Sequence, residues 1–504
     1  MWPFKKKEKT REIKKIFSQK RAVIDSAILN DALMDNLHVS NFSNNRIVVE
    51  SLDRVRSRSR TLYHNSDYLR KFVLSGQRNI VGEAGIIYQS LAINGGDGKP
   101  NMRERKSIEA AWKDFSNNHI DVNQQLTLHD IEMLWVQSLI VDGAFLAIKN
   151  RGRNAGKYGF SLQVVDSALL DTSFNEDNIK ENRIVGGIEL TPTGKPVNYY
   201  LLDSDMGDYL HTRTGKKYRV IPASDVIYSF INKYIGQTHG TPETWSSITT
   251  LHNLNEIEKA SLAAAREGSS RRGYIESSEL GAASYVGDEE RDDGVQVHYL
   301  ENGTVEELPY GKKFVSYDMK FPHEQVETLL KHELRKLASG WGMSYADLTD
   351  DLTAVNLSSY RGSTSEARET WKLWQNQLIR VLEDIHGEFA KMGLLMGQIG
   401  NMKPAGLDKV LMCSFQGRRW FKLDPVKDED ATRTSIELGR KSVSETIRED
   451  GRDPEKVFAE IEEERERFNW LNGGNNEQEN ETGREPESKP KGDKGSKSDT
   501  ESDD

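Results

Sequence analysis

Cysteine is almost absent from this chain of 504 residues, in which Cys413 is the single example. One cysteine excludes an internal disulfide and a cysteine-rich metal site, and it is typical of a protein that works in a reducing compartment. The chain also lacks an apolar run long enough to span a membrane or to form the core of a secretion signal. We therefore expect a soluble protein with no membrane association.

A surplus of positive charge is missing as well. The formal net charge is -10, and 29% of the residues are charged. A protein that wraps nucleic acid by electrostatic attraction alone is basic overall, because it neutralises phosphates with lysine and arginine. If this protein handles DNA, we expect it not to grip the DNA tightly.

Motifs of nucleotide-binding and hydrolytic enzymes are also lacking. The glycine-rich stretch at 94–100 lacks the spacing of a phosphate loop, and Pro196 stands where a second candidate would need a hydroxyl for magnesium. No H-E-x-x-H or G-x-S-x-G pattern occurs. The acidic residues Asp171, Glu176 and Asp177 lack the ligand spacing of a calcium loop. We therefore expect no enzymatic activity, no cofactor and no metal site.

Two helical patterns flank a polar segment between residues 321 and 400. Apolar residues at steps of three and four predict one helix over 321–342 and a very long one over 361–400. The apolar face of the first helix comprises Val326, Leu329, Leu330, Leu334 and Leu337, and that of the second comprises Trp371, Trp374, Leu378, Leu382, Ile385 and Phe389. The segment 343–360 is rich in Asp, Thr, Asn and Ser, which favour turns, and it is predicted to be a loop.

The rest of the chain predicts an α+β fold of several subdomains. Short apolar runs separated by Gly, Pro, Asn and Asp predict a mainly antiparallel β layer from 144 to 230. Thr241 and Pro242 supply a hydroxyl cap and a first-turn proline for another long helix, and a β insert is expected between it and the helix at 321–342.

Both ends of the chain differ in composition from its middle. Lysine and arginine are concentrated in residues 1–45, which predicts a mobile basic arm, although contact of this arm with anionic partners is an alternative. Residues 472–504 have almost no apolar side chain and predict a disordered acidic tail, because such a segment cannot bury a core.

The order of these motifs resembles the portal proteins of tailed bacteriophages, specifically the lambda-like portal family. The resemblance extends from about Leu52 to Asp453. The motifs that carry it are the alternating arginines from Arg54 to Arg60, Asn79 to Gly85, Asp142 and Gly143, Gly186 to Glu189, Trp341 to Tyr345, Asn356 to Ser359, and Trp420 to Pro425.

The resemblance implies a portal architecture with a defined order of parts. These are a basic arm (1–45), an α+β wing (46–240), a first stem helix (241–266), a clip (267–320), a second stem helix (321–342), a tunnel loop (343–360), a long helix returning to the wing (361–400), a C-terminal wing and crown (401–471) and an acidic tail (472–504).

The resemblance also implies a structural function. Portals form a homo-oligomeric ring, expected here to be a dodecamer, at one capsid vertex, and double-stranded DNA is packaged and ejected through it. The expected partners are the terminase large subunit, the major capsid and scaffold proteins and the head–tail adaptor. The expected location is the virion, with the host cytoplasm during assembly. Another capsid assembly protein and, less in keeping with the motifs, a DNA-processing enzyme remain alternatives.

Three groups of site residues follow from the resemblance. DNA-channel residues are expected in the tunnel loop at Asp350, Asp351, Asn356, Ser358, Ser359 and Arg361. Subunit packing is expected at Ile248, Leu251, Leu330 and Leu334 of the stem helices, and docking of the motor at Asp288, Glu289, Glu290 and Asp292 of the clip. For Arg361, an ordinary ion pair with Asp350, Asp351 or Glu366 is the alternative to a DNA contact.

Overall fold

The computed structural model describes most of the chain between residues 43 and 467. The described ranges are 43–93, 101–179, 181–203, 217–269, 273–277, 289–290, 296–297, 312–316, 324–353, 356–400, 402–420, 425–450, 452 and 454–467. Nearly all of the predicted basic arm, the whole predicted acidic tail, and Asp288 and Asp292 of the predicted clip lie outside these residues.

The described chain contains groups of helices and groups of strands, and the predicted α+β fold is confirmed. The helices are α1 (Asn44–Asn65), α2 (Asp67–Ile80), α3 (Met102–Asn117), α4 (Leu128–Val141), α5 (Ile248–Ser269), α6 (Glu324–Gly340), α7 (Tyr345–Thr349), α8 (Leu357–Leu395), α9 (Leu407–Leu411), α10 (Pro425–Glu437), α11 (Val443–Glu449) and α12 (Pro454–Arg467). None of these described helices combines the length and apolar character needed to cross a membrane.

The described strands pair in antiparallel fashion. They are β1 (Ile87–Ser90), β2 (Ala144–Arg151), β3 (Phe160–Val165), β4 (Glu176–Ile179), β5 (Asn182–Val185), β6 (Ile188–Leu190), β7 (Pro196–Leu202), β8 (Tyr218–Pro222), β9 (Val226–Phe230), β10 (Gly273–Ser277), β11 (Glu289–Glu290), β12 (Gln296–Val297), β13 (Lys312–Ser316) and β14 (Cys413–Gln416). Strands β4 to β8 form a five-stranded meander, and β3, β2 and β9 form a three-stranded sheet. Three two-stranded sheets pair β1 with β14, β10 with β13 and β11 with β12.

Local sequence signals determine where helix α4 begins and ends, and Gly143 after α4 contacts the chain that leads to α5. The Thr127 side chain accepts from the Asp130 backbone N–H, and the Asp130 carboxylate accepts from the Thr127 backbone N–H, which is a capping box. After α4, Gly143 adopts a φ of +87°, and a Cβ there would lie 2.5 Å from the backbone of Thr241 and Pro242. The chain that leads to α5 therefore packs against bare backbone at Gly143.

One large core surrounds the C-terminal two thirds of α8. The apolar face that the sequence predicts for this helix is buried, including Leu378, Leu382, Ile385 and Phe389. Aromatic rings from distant segments pack into the same core, with Phe72 stacked on Trp341 at a centroid distance of 4.6 Å. A second, smaller core lies where the five-stranded meander meets β2 and includes Leu146, Ile188, Leu190, Tyr199 and Leu201.

The structure corrects the prediction of a loop over 343–360. Residues 345–349 form the short helix α7, and α8 begins at Leu357 rather than at residue 361. The cause is capping: the Ser344 side chain accepts from the Asp347 N–H, and the Asn356 side chain accepts from the Ser359 N–H. Serine and asparagine favour turns and helix N-caps for the same reason, since their side chains bond to nearby backbone. The predicted first stem helix likewise begins late, at Ile248 instead of residue 241.

A buried carboxyl on α4 links fold stability to pH. Glu132 is buried and accepts a hydrogen bond from the Ile86 N–H at 3.2 Å. Burial raises the pKa of Glu132 from its ordinary 4.5 to about 8. Between these values the unfolded chain has released the proton while the folded chain still holds it, so folding becomes less favourable as the pH rises.

We expect the free energy of unfolding to fall by about 2 kcal/mol or more between pH 5 and pH 8, since one pKa unit corresponds to ~1.4 kcal/mol. Glu132→Gln should be more stable than the wild type at pH 8 and should lose most of this slope, because an amide oxygen still accepts from Ile86. Urea unfolding at several pH values measures both. Glu83→Gln, at an exposed carboxylate, is the control that keeps the slope. Equal slopes in the wild type and Glu132→Gln would contradict the assignment.

Candidate functional site

The segment from Asp350 to Arg361, here called the channel segment, contains the residues that the sequence assigns to DNA contact. The structure describes all of it except residues 354 and 355. Asp350 ends α7 in the left-handed region with a φ of +56°. Its carboxylate accepts from the Lys71 ammonium at 2.7 and 2.9 Å, so an ion pair ties the start of the segment to α2.

Asp351 is held by contacts inside the segment and by α7. Its carboxylate accepts from the Thr353 hydroxyl at 2.6 Å, from the Thr353 N–H at 3.0 Å and from the Tyr345 hydroxyl at 3.3 Å. These hydrogen bonds, those from Thr353 above all, lower the pKa of Asp351. Next to it, Leu352 is exposed. The carboxylate therefore stays ionised at neutral pH and is occupied by neighbouring donors.

The start of α8 presents hydroxyl groups to solvent. The Asn356 side chain accepts from both the N–H and the hydroxyl of Ser359, at 2.8 and 2.6 Å. Ser358, between them, has an exposed side chain. Serine and asparagine carry no net charge, so a passing phosphate would find hydrogen-bonding groups here without a strong electrostatic attraction.

Arg361 has a partner that the sequence analysis missed. Its guanidinium pairs with Asp428 of α10, and the alternatives Asp350, Asp351 and Glu366 are not the partners in this structure. The reason is the early start of α8, which places Arg361 within the helix and aims it at α10. The two residues are 67 positions apart in sequence, and no local pattern indicates such a pair.

The arrangement favours weak contacts with a polyanion. Lys71 lies beside the start of the channel segment and Arg361 lies at its end, and each is paired with a carboxylate. Paired cations offer less attraction to phosphate than free ones, because a phosphate would have to compete with the carboxylate already present. The segment brings together the predicted polar residues. Its charged side chains are engaged by neighbouring groups and do not form a cluster of unpaired charges.

The predicted subunit-packing residues occupy two different environments. Leu251 and Leu334 are buried in the protomer's own core, whereas Ile248 and Leu330 are half-buried at its edge. Leu251 and Leu334 thus have partners inside the protomer already, and packing of any of the four residues against a neighbouring subunit stays a prediction. Helical periodicity shows that these positions share an apolar face, but it does not show which core that face joins.

The same helices expose other leucines that the sequence analysis did not select as packing residues. Leu262 of α5 is 53% exposed and Leu329 of α6 is 46% exposed. Both lie on the parts of the helices that extend beyond the protomer core, since no described side chain of α5 after Leu254 and none of α6 before Leu334 is buried. The sequence shows that these leucines lie on the apolar faces of their helices. Only the structure shows that those faces are exposed at these two positions.

The clip residues are partly described. Glu289 and Glu290 form β11, which pairs with β12 through Glu289 opposite Val297 and Glu290 opposite Gln296. Strands β10 and β13 pair in the same insert, from Gly273 opposite Ser316 onwards. The predicted β insert between the two long helices is therefore present in its described parts.

Within the described residues, no group of three or more His, Cys, Asp or Glu side chains is arranged to hold a metal ion. The acidic residue Asp171 instead accepts hydrogen bonds from the hydroxyls of Ser173 and Tyr218, each at 2.6 Å. These contacts join the turn after β3 to β8 and give Asp171 a structural role.

Comparison with known proteins defines the class of this molecule. A family model described as "Phage portal protein, lambda family" matches residues 30–375. The "Probable portal protein" of Halomonas phage phiHAP-1 is 31% identical over 433 residues, which cover 84% of this chain and 82% of that protein. Both findings define a phage portal protein, a structural component of the virion at a capsid vertex. The chain belongs to the lambda family of phage portal proteins, and the resemblance seen in the sequence is confirmed.

Solved structures with a similar chain course are more distant. A chain from the neck of an empty gene transfer agent particle has 11% identity and a TM-score of 0.45, with 79% of this chain and 93% of that chain covered. An HK97 family phage portal protein from Corynebacterium diphtheriae has 9% identity and a TM-score of 0.30, with 75% and 98% covered. The family assignment rests on the family model and on the phage relative.

The contrast between Leu334 and Leu329 yields a paired prediction. Leu334→Asp should destabilise the protomer by several kcal/mol, because it places an unpaired charge in the core. Leu329→Asp should leave the protomer folded and weaken subunit association. Circular dichroism measures the first effect, and light scattering after size exclusion measures the second.

Leu352→Asp is the matched control, since Leu352 is similarly exposed but lies on the channel segment. It should affect neither folding nor association. A Leu329→Asp variant that assembles as well as the wild type would remove Leu329 from the interface.

Proposed function

We propose that this portal protein forms a dodecameric ring through which double-stranded DNA is packaged and ejected. In this proposal the ring docks the terminase large subunit during packaging and the head–tail adaptor afterwards, and it contacts the major capsid and scaffold proteins at the vertex. The protein acts in the host cytoplasm during assembly and catalyses no reaction itself. The observation that carries the DNA-channel role is the channel segment, where hydroxyls are exposed and the flanking cations are paired.

The electrostatics of the channel segment suit a conduit rather than a binding site. Each phosphate contact made by a free lysine or arginine releases counterions and adds affinity. A ring with many such contacts would hold DNA in place. Here Lys71 and Arg361 are neutralised by Asp350 and Asp428, and the serines add no charge. DNA can then make brief, exchangeable contacts while it moves.

The two long helices suit a stem that carries the clip away from the body. Helix α5 leaves the core after Leu254 and continues to Ser269, which corresponds to roughly 20 Å at 1.5 Å per residue. The paired strands β10 and β13 follow directly and lead back to α6. The clip therefore lies at the far end of the stem, where a motor or an adaptor can reach it.

Two other classes of function are separated by simple measurements. A DNA-processing enzyme or motor subunit would hydrolyse ATP or cut DNA, and we expect the pure protein to do neither. A shell-forming capsid protein would be present in many copies per particle. Micrographs of purified particles should instead show one ring per particle.

Ser358→Lys tests the channel role directly. It adds one exposed cation per subunit at the start of α8, and each added phosphate contact increases affinity and salt dependence. We expect a shorter nuclease-protected genome at low salt, with recovery as the salt concentration rises. Thr193→Lys, in the exposed turn before β7, is the control and should package normally. Full-length packaging at every salt concentration by Ser358→Lys would show that the start of α8 never meets the DNA.

Charge reversal in β11 tests the clip. The double variant Glu289→Lys and Glu290→Lys should still form rings but should bind the terminase large subunit at least about tenfold more weakly, because reversing two charges in the proposed docking strand removes the electrostatic complementarity that these carboxylates would supply. Glu83→Lys, at an exposed carboxylate on the body, provides the comparison. Unchanged affinity in the clip variant would move motor docking to other residues.

A further inference from the structure

One side of α3 carries three basic side chains that form no ion pair with any carboxylate of the described residues. All three are exposed. They are Arg103, Lys106 and Lys113, and we call them the α3 basic face. Since each residue turns an α-helix by about 100°, the three positions span roughly 80° of the helix circumference. They therefore form one positive surface on a protein whose formal net charge is -10.

The carboxylates of α3 itself do not neutralise this face. Each of the three is engaged by a lysine from another part of the chain. The pairs are Glu104 with Lys409, Glu109 with Lys456, and Asp114 with Lys157. These pairs connect α3 to α9, to α12 and to the turn between β2 and β3. The described fold thus leaves the charge of the α3 basic face without an opposite charge in contact with it.

The α3 basic face borders the place where α12 contacts α3. Lys456, in the first turn of α12, pairs with Glu109. Around the axis of α3, Lys106 and Lys113 lie within roughly 60° of Glu109. The chain that follows α12 is therefore tethered close to the α3 basic face.

The sequence beyond α12 contains the opposite charge. Residues 477–487 include five glutamates and one arginine, and we call this range the acidic segment. Its glutamates are Glu477, Glu479, Glu481, Glu485 and Glu487. A second acidic run occupies residues 499–504, but four lysines lie between the two runs. The acidic segment is thus the first concentration of negative charge that follows α12.

The length of the connection suits a contact between the acidic segment and α3. Arg467 ends α12 and lies roughly 17 Å along the helix from Lys456. Glu477 follows ten residues later, and an unconstrained chain of ten residues spans about 17 Å on average. A tether of this length gives an effective concentration in the millimolar range, which falls as the tether lengthens. The acidic segment is therefore better placed than residues 499–504.

A DNA duplex is the competing occupant, because phosphates are attracted by the same cations. Three cations offer a duplex few phosphate contacts, however, and a duplex in solution is not tethered to α12. Charge complementarity and the short tether therefore favour the chain's own acidic segment.

We infer that the acidic segment docks on the α3 basic face of its own chain and covers cations that would otherwise attract DNA. The glutamates then take the place of phosphates on this surface. The inference does not use the ring, so it can fail while the proposed function stands, and the reverse.

Zero-length cross-linking of the full chain tests the contact. A carbodiimide joins a carboxylate to a lysine amine only where the two groups touch. We expect cross-links from Lys106 and Lys113 to the acidic segment at low salt and their loss at high salt, which screens exposed charges. Lys195, an exposed lysine directly before β7, is the control and should give no cross-link to this segment.

A mixture of normal-isotope and heavy-isotope chains shows which copy supplies the acidic segment. Cross-linked pairs of uniform isotope support the inference. Mixed-isotope pairs in the proportion expected for random pairing would overturn docking within one chain. Absence of cross-links from both Lys106 and Lys113 at low salt would overturn the contact itself.

Affinity for a short DNA duplex tests whether the segment covers the cations. Conversion of the five glutamates of the acidic segment to glutamine should increase the affinity of the full chain at least about threefold at low salt, since the uncovered cations can then contact phosphates. Adding Lys106→Gln and Lys113→Gln should return the affinity to the wild-type value. Fluorescence anisotropy of a labelled duplex measures each affinity.

The matched control neutralises the second acidic run instead. It combines Asp499→Asn, Glu501→Gln, Asp503→Asn and Asp504→Asn. This variant removes nearly as much negative charge and should keep the wild-type affinity, which separates coverage of α3 from a change in net charge. An equal gain in the control, or a gain that persists after Lys106→Gln and Lys113→Gln, would show that the acidic segment does not act through α3. Unchanged affinity in the five-glutamate variant would likewise contradict the covering role.

Discussion

The burial of one face of α8 is the constraint on which the rest of the protomer depends. Segments from both ends of the sequence close around this helix. Strand β1 pairs with β14 across it, and Phe389 packs against Phe115 and Tyr158 from elsewhere in the chain. The Gln375 amide donates to the backbone carbonyls of Asn79 and Arg418, each at 3.1 Å. Each fully buried large side chain contributes roughly 1.5–3 kcal/mol, so the buried face of this helix is a large source of stabilisation.

Ion pairs between elements then fix where the packed parts lie. Arg60 of α1 bonds to Asp142 and Asp166, and Arg151 of β2 bonds to Asp225 and Glu388. In each case one guanidinium bridges two carboxylates from different elements, which uses its planar set of donors. Lys71 and Arg361 each form a single ion pair, and these two pairs connect the channel segment to α2 and to α10. Several basic residues of the described body thus connect one element to another, as Arg60 and Arg151 do.

Sequence reasoning predicted the elements whose signals are local. The long helix α8 and its buried face from Trp371 to Phe389 follow from apolar residues at steps of three and four. Sequence reasoning failed where one residue type occurs both in turns and at helix N-caps. Ser344 and Asn356 cap helices in a segment whose composition favours turns. It also failed where distance in sequence is large, as for Arg361 with Asp428 or Lys71 with Asp350. The choice between Leu334 and Leu329 depends on which core a helix face meets, and only tertiary packing decides that.

The absence of a side chain at Gly143 has a geometric consequence for the whole assembly. Backbone of residues 241 and 242 passes where a methyl group would be, so direct backbone contact fixes the start of the segment that leads into α5, the proposed stem helix. In a closed ring every copy repeats the same angle, and the angles must sum to one full turn. An added methyl group would tilt every stem by the same small amount, and such errors accumulate around the circle instead of averaging out. In the proposed ring, the width of the channel would therefore depend in part on the single hydrogen atom that Gly143 carries in place of a side chain.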